Sequence, residues 1–268
     1  MSTTTHQTPF ELRGSPNPDV TAVPFTRLLR VELRKLVDTR AGFWLLTAIG
    51  LITVAAVAVF LFVADPDQLT FHSLVGVTAT PQSILLPVLG ILAVTAEWSQ
   101  RTGLVTFTLE PSRARVAVAK LVAVTLVGLL AVVVALGVAA LSNLAGTAFL
   151  DGSGSWTFEA ANVRDFFAVQ LIGILQGFAF GMLLMNTAAA IVLYYVLPIV
   201  WSVLFAMVSS LENAAPWLDL NTAMAPAFEQ QTFQAADWAH IAVAGTIWVL
   251  LPLAFGLVRL LRREVKSA

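Results

Sequence analysis

The sequence predicts an all-α integral membrane fold: six transmembrane helices with both termini on the inner side, preceded by an amphipathic interfacial helix. Three observations carry this expectation: the composition, six uncharged apolar runs of spanning length, and the placement of the cations. Of the 268 residues 58% are hydrophobic and only 12% are charged, with a mean hydropathy of +0.83. Soluble domains carry about a quarter of their residues as charges. The formal net charge of -1 offers no basic surplus for nucleic acid, and in a membrane protein the position of charges matters more than their sum. With no cysteine the chain has no disulfide, thiolate metal site or thiol nucleophile.

The apolar runs are Gly42 to Ala64, Leu74 to Ala96, Leu121 to Leu141, Phe166 to Asn186, Ala188 to Val208 and Ile241 to Val258. Each approaches or exceeds the roughly 20 helical residues that a bilayer core requires. Runs four and five are separated only by Asn186 and Thr187 and carry no charge, so together they read as a helical hairpin rather than one helix. Six of the 15 Lys and Arg precede the first run, four lie between Arg101 and Lys120, four follow the last run, and only Arg164 falls elsewhere. By the positive-inside rule both termini and the central loop are cytoplasmic, in the cell membrane. The outer loops hold acids instead.

Ahead of the first run, residues 1–24 are rich in Thr, Ser and Pro without an apolar period and read as a disordered cytoplasmic leader. This stretch does not read as a signal peptide, because the first apolar run starts too late and is too long. From 25 to 40, Phe25, Leu28, Leu29, Leu33, Leu36 and Val37 recur at helical spacing, with Arg27, Arg30, Arg34 and Lys35 on other faces. The expectation is a helix on the membrane surface, apolar stripe among acyl chains and cations toward headgroups; the alternative is a helix packed on a soluble partner. Residues 41–258 then form the six-span domain, and 259–268 a basic cytoplasmic tail.

Inside the runs no Asp, Glu, Lys or Arg occurs, and an ion-coupled carrier usually needs such a group. Pro81, Pro87, Pro198 and Pro252 allow kinks or broken helices. No metalloprotease motif, no activated serine and no Gly-Lys-Ser/Thr phosphate-binding loop is present. The chain therefore reads as a non-enzyme, and any nucleotide that drives it is hydrolysed by another polypeptide. The outer loop 211–239, with Pro216, Trp217, Phe228, Phe233 and Trp238, reads as segments dipping into the interface, as short helices capping an outer cavity, or as an ordinary surface loop. In the fourth run Gly173, Gly177 and Gly181 share one helical face. That face serves a subunit contact or pathway wall, or close packing within the monomer. The span aromatics Phe178, Phe180, Tyr194, Tyr195, Trp201, Phe205 and Trp248 are candidates to line a cavity for an amphiphilic or apolar compound.

The polar stretch from Ala96 to Lys120 has to be exposed at a membrane face or docked on a partner. Within it Glu97, Arg101, Thr102 and Gly103, then Pro111, Ser112, Arg113 and finally Lys120 resemble the E-x-x-x-G-T … P-x-R … K signature of type-2 ABC exporter permeases, with the Gly-Thr pair in the order Thr102-Gly103. The similarity extends over the architecture as a whole. It implies a membrane-spanning exporter subunit, paired with a second permease copy or a related permease and with a cytosolic ABC ATPase that binds ATP and Mg. This chain itself holds no cofactor. The resemblance further implies that Glu97, Arg101, Thr102 and Gly103 form a coupling helix docked on the ATPase. The alternative is that Glu97 and Trp98 only mark the membrane edge; Arg113, Arg115 and Lys120 read as topology determinants. Other classes remain open: an ion-coupled carrier, a sensor or assembly subunit that docks an ATPase without transport, and, weakly, an intramembrane enzyme.

Overall fold

The computed structural model describes residues 23–100, 106, 110–229 and 231–262, and these contain helices and no strand. Six of the helices are long and apolar enough to cross a membrane, so this is a multi-pass membrane protein. The elements are α1 (Phe25–Asp38), α2 (Arg40–Val63), α3 (Phe71–Ser99), α4 (Arg113–Phe149), α5 (Ala160–Leu184) and α6 (Thr187–Met207), then the short α7 (Ala215–Leu218) and α8 (Leu220–Phe228), and last α9 (Ala235–Arg262). The leader is described only at residues 23 and 24, and the tail only as far as 262, so most of both expectations lie outside the described residues.

The spanning helices outrun the apolar runs that announce them. Arg113 to Lys120, expected as loop, is the opening of α4, because Ala, Val, Arg and Lys there continue the helix once Pro111-Ser112 has started it. At 37 residues α4 is a rod of about 55 Å at 1.5 Å per residue, against about 30 Å of hydrocarbon. Likewise Glu97 and Asp165 fall within α3 and α5. The apolar runs themselves stay free of charge, and the helices that extend beyond them carry charge near their ends.

Between α1 and α2 the chain turns at Thr39, whose hydroxyl accepts the Gly42 amide at 3.3 Å. A side chain at Gly42 would overlap the Leu36 carbonyl, so glycine is required for this tight approach. The α5–α6 hairpin turns at Met185, in the left-handed region (φ 49), and Asn186 caps α6 by accepting the Ala189 amide at 3.0 Å.

The most extensive helix interface joins α3 to α5. Gly177 packs on the backbone of Pro87, Gly181 lies against Ile91, and Gly173 lies near the Pro87 ring and the Tyr194 hydroxyl. The glycine face is thus filled from within the chain, by α3. Buried amides add to the seam: Gln82 Nε2 donates to the Ala131 carbonyl of α4 at 3.1 Å, and Gln170 Nε2 to the Ala79 carbonyl of α3 at 3.2 Å. Pro81 and Pro87 lie inside a continuous α3. In α9, Pro252 follows a π turn at Thr246–Leu250, which absorbs the clash a proline ring makes with the carbonyl four residues back.

The segment 211–239, expected as an outer loop, contains short helices among its described residues. Leu220, Ala223 and Met224 of α8 and Phe233 pack with Val169 of α5 and with Ile241 and Val249 of α9 in a small second core. Asp165 pins this cap by accepting the Phe233 amide at 2.8 Å and Arg164 Nε at 2.7 Å.

Candidate functional site

The site starts with α1. Its buried line is Leu28, Glu32 and Leu36, four residues apart, facing α4, where Leu28 packs with Val116 and Ala119. The stripe expected among acyl chains is therefore covered in large part by the chain itself, and Phe25, Val31 and Val37 stay exposed on the flanks. A carboxylate on that line needs a cation, since burying an unpaired charge is prohibitively costly.

Lys120, about one turn beyond Val116, supplies it. Its ammonium donates to Glu32 Oε2 at 2.7 Å and lies 3.1 Å from Glu97 Oε1. Lys35 closes the figure, donating to Glu32 Oε1 and to Glu97 Oε1, both at 2.8 Å. The result is a four-membered ring of alternating charge, Glu32–Lys35–Glu97–Lys120, that ties α1, α3 and α4 together. The Glu32, Glu97 and Lys120 side chains are 3%, 7% and 7% exposed and Lys35 is 37% exposed. Glu97 Oε1 also accepts the Thr106 hydroxyl at 3.0 Å.

The candidate coupling residues are thereby partly placed. Glu97 turns its carboxylate into the ring, so any part it plays toward a partner is exerted through the helices it holds. Arg101, Thr102 and Gly103 lie outside the described residues. Glu32 and Lys35 are the residues that sequence reasoning missed. The available signal was a carboxylate at four-residue spacing between two leucines of the apolar stripe, with a lysine three residues on.

Three further cations, Arg115, Arg113 and Arg259, have fixed partners too. Arg115 pairs with Glu110 at 3.0 Å and donates to the Val23 carbonyl; Arg113 donates to the Leu260 carbonyl at 2.8 Å; Arg259 donates to the Leu183 carbonyl at 2.6 Å. The last two satisfy carbonyls near the ends of α9 and α5, where positive charge is favoured. Arg113, Arg115 and Lys120, expected only to set topology, also hold helix ends together.

Burial pulls the Lys35 pKa down, but Glu97 and Glu32 outweigh this and hold it above its ordinary 10.5. A lysine raised in this way contributes stability that is fully present below pH 10.5 and is lost as pH rises through the higher folded-state value. Thermal melts of the purified chain are expected to stay level from neutral to moderately alkaline pH and to fall only beyond that point. The Lys35→Met variant should lack this fall.

Beside the ring a cavity of about 650 Å³ opens between α1 and the last turns of α3. None of the span aromatics named as candidate cavity residues lines it; Phe178 and Phe180 are instead buried in the helix interfaces. Among the described residues no group of His, Cys, Asp and Glu is arranged to hold a metal ion. No protein-family model matches the chain, and no curated protein matches it.

Proposed function

We propose that this chain is the permease subunit of an ABC exporter in the cytoplasmic membrane, moved by a separate cytosolic ATPase. The observation that supports this most is the ion-pair ring. The polar connection 100–112 leaves α3 and enters α4, and the ring locks those two helices to each other and to α1 close to that connection. A push delivered to the connection is then received by three helices as one body, which suits rigid-body switching of access. ATP and Mg belong to the partner, a second permease copy or a related permease completes the pathway, and both termini lie in the cytoplasm.

The test is purification of the tagged chain from its native membrane, with Glu97→Ala and Arg101→Ala alongside. The expected result is co-purification of an ATPase that carries a phosphate-binding loop, reduced by either substitution. If the oligomer is preserved and no ATPase accompanies it, the reading loses its motor. Glu97, a buried carboxylate near the end of α3 in a stretch expected as loop, favours an ion-coupled carrier as the second reading. Transport that an uncoupler abolishes in the absence of any ATPase would decide for it.

A further inference from the structure

The cavity beside the ring is a groove with two characters. Along α1 its wall runs from Arg27 to Thr39, a length of about 18 Å at the helical rise. Leu28, Val31, Leu89, Leu92 and Ala96 give it an apolar lining. At about 650 Å³ it falls within the range of about 300–1,000 Å³ typical of sites for one small ligand.

The charges around it are not equally occupied. Glu32 holds Lys35 and Lys120 on its two oxygens, Glu97 holds the same two lysines, and both Glu110 oxygens carry donors, from the Ser112 amide and Arg115. Every carboxylate of the lining thus already has a cation. Arg27, on the exposed rim, has no ion pair with any described residue. Arg27, Val31 and Lys35 follow one another at four-residue spacing along the groove face of α1, a cation, an apolar side chain and a half-exposed cation.

We infer that this groove binds a single-tailed anionic amphiphile, with its apolar body along α3 and its carboxylate or phosphate head on Arg27, facing Lys35. A cationic head would meet only carboxylates that are already paired, and an uncharged body would leave Arg27 without a counter-ion. A guanidinium at the mouth of an apolar cleft is suited to such a head by its planar array of donors. The volume fits one tail and a head, not the two chains of a phospholipid. This assignment does not depend on a motor subunit, because binding is a property of the chain alone.

The test is native mass spectrometry of the full purified chain with dodecyl phosphate, with dodecyltrimethylammonium, and with phosphatidylglycerol. One dodecyl phosphate per chain is expected, with no comparable retention of the other two. Arg27→Glu removes a charge-assisted contact and should weaken retention about tenfold or more; because Arg27 is exposed, the fold is not at stake. Ala96→Phe fills the groove without altering charge and should weaken retention to a similar degree. Ala41→Phe, at an exposed position of the same lining, serves as the filler where Ala96→Phe does not fold.

Equal retention of the cationic amphiphile would overturn the charge assignment. Loss with Arg27→Glu but not with either filler would show a surface contact and overturn the groove. Retention of phosphatidylglycerol with the same sensitivity to all variants would make the occupant a membrane lipid and overturn the single-tailed assignment.

Discussion

Lys120→Met lowers the stability of the folded chain by about 3–5 kcal/mol, the loss typical of removing one partner from a buried ion pair. Lys120 is the cation shared by Glu32 and Glu97 at 2.7 and 3.1 Å. Without it two buried carboxylates face each other across Lys35, the more exposed of the two lysines. The ring should nevertheless behave as a unit. The double variant Lys120→Met, Glu32→Gln leaves the Lys35–Glu97 pair, 2.8 Å apart, with its charges balanced, and is expected to be more stable than Lys120→Met alone. Thermal melting of the wild type, Lys120→Met, Glu32→Gln and the double variant in one detergent measures this. Additive losses would mean that the four groups are not energetically coupled.

Gly177→Ala is the second large effect. A Cβ there would overlap the Pro87 carbonyl oxygen and lie 2.8 Å from the Pro87 carbonyl carbon. Both atoms are backbone in the middle of α3, so the strain cannot be relieved by a rotamer change; α3 and α5 must move apart. The expected loss is at or above the upper end of the roughly 1–3 kcal/mol typical of overpacking. Along the same stripe Gly181→Ala, 3.0 Å from the Ile91 carbonyl oxygen, should cost less, and Gly173→Ala, 3.4 Å from the Pro87 ring, less again. A methyl group added at Gly50 would meet nothing within 4 Å, so Gly50→Ala should be neutral or stabilise by up to about 1 kcal/mol through helix propensity. A flat response across this series would mean that α3 and α5 are not in close backbone contact.

The six spans are legible because an uncharged apolar run of bilayer length can satisfy its backbone and hide its side chains in few ways besides crossing a membrane. Their ends are not, since Arg113 to Lys120 combines topology-setting cations with residues that propagate a helix, and composition cannot say which property prevails. The glycine stripe is equally visible in the sequence, whereas its partner face at Pro87, Gly90 and Ile91 is not, because nothing local to α5 specifies which helix lies opposite. The ring shows the same limit more sharply. Glu32 and Lys120 are 88 positions apart, and an amphipathic helix with leucines and cations looks alike whether its stripe meets lipid or another helix. Only Glu32, on the wrong side of that stripe for a lipid-facing surface, distinguishes the two.

The ring holds two ammonium and two carboxylate groups, so it sums to zero charge. A displacement that carried it as one body would move two positive and two negative charges over the same distance. Electrical work across a membrane amounts to about 2.3 kcal/mol per elementary charge per 100 mV, and here the contributions cancel. The membrane potential would then neither drive nor oppose the motion of the ring itself, and the force that moves it would have to come from outside the field.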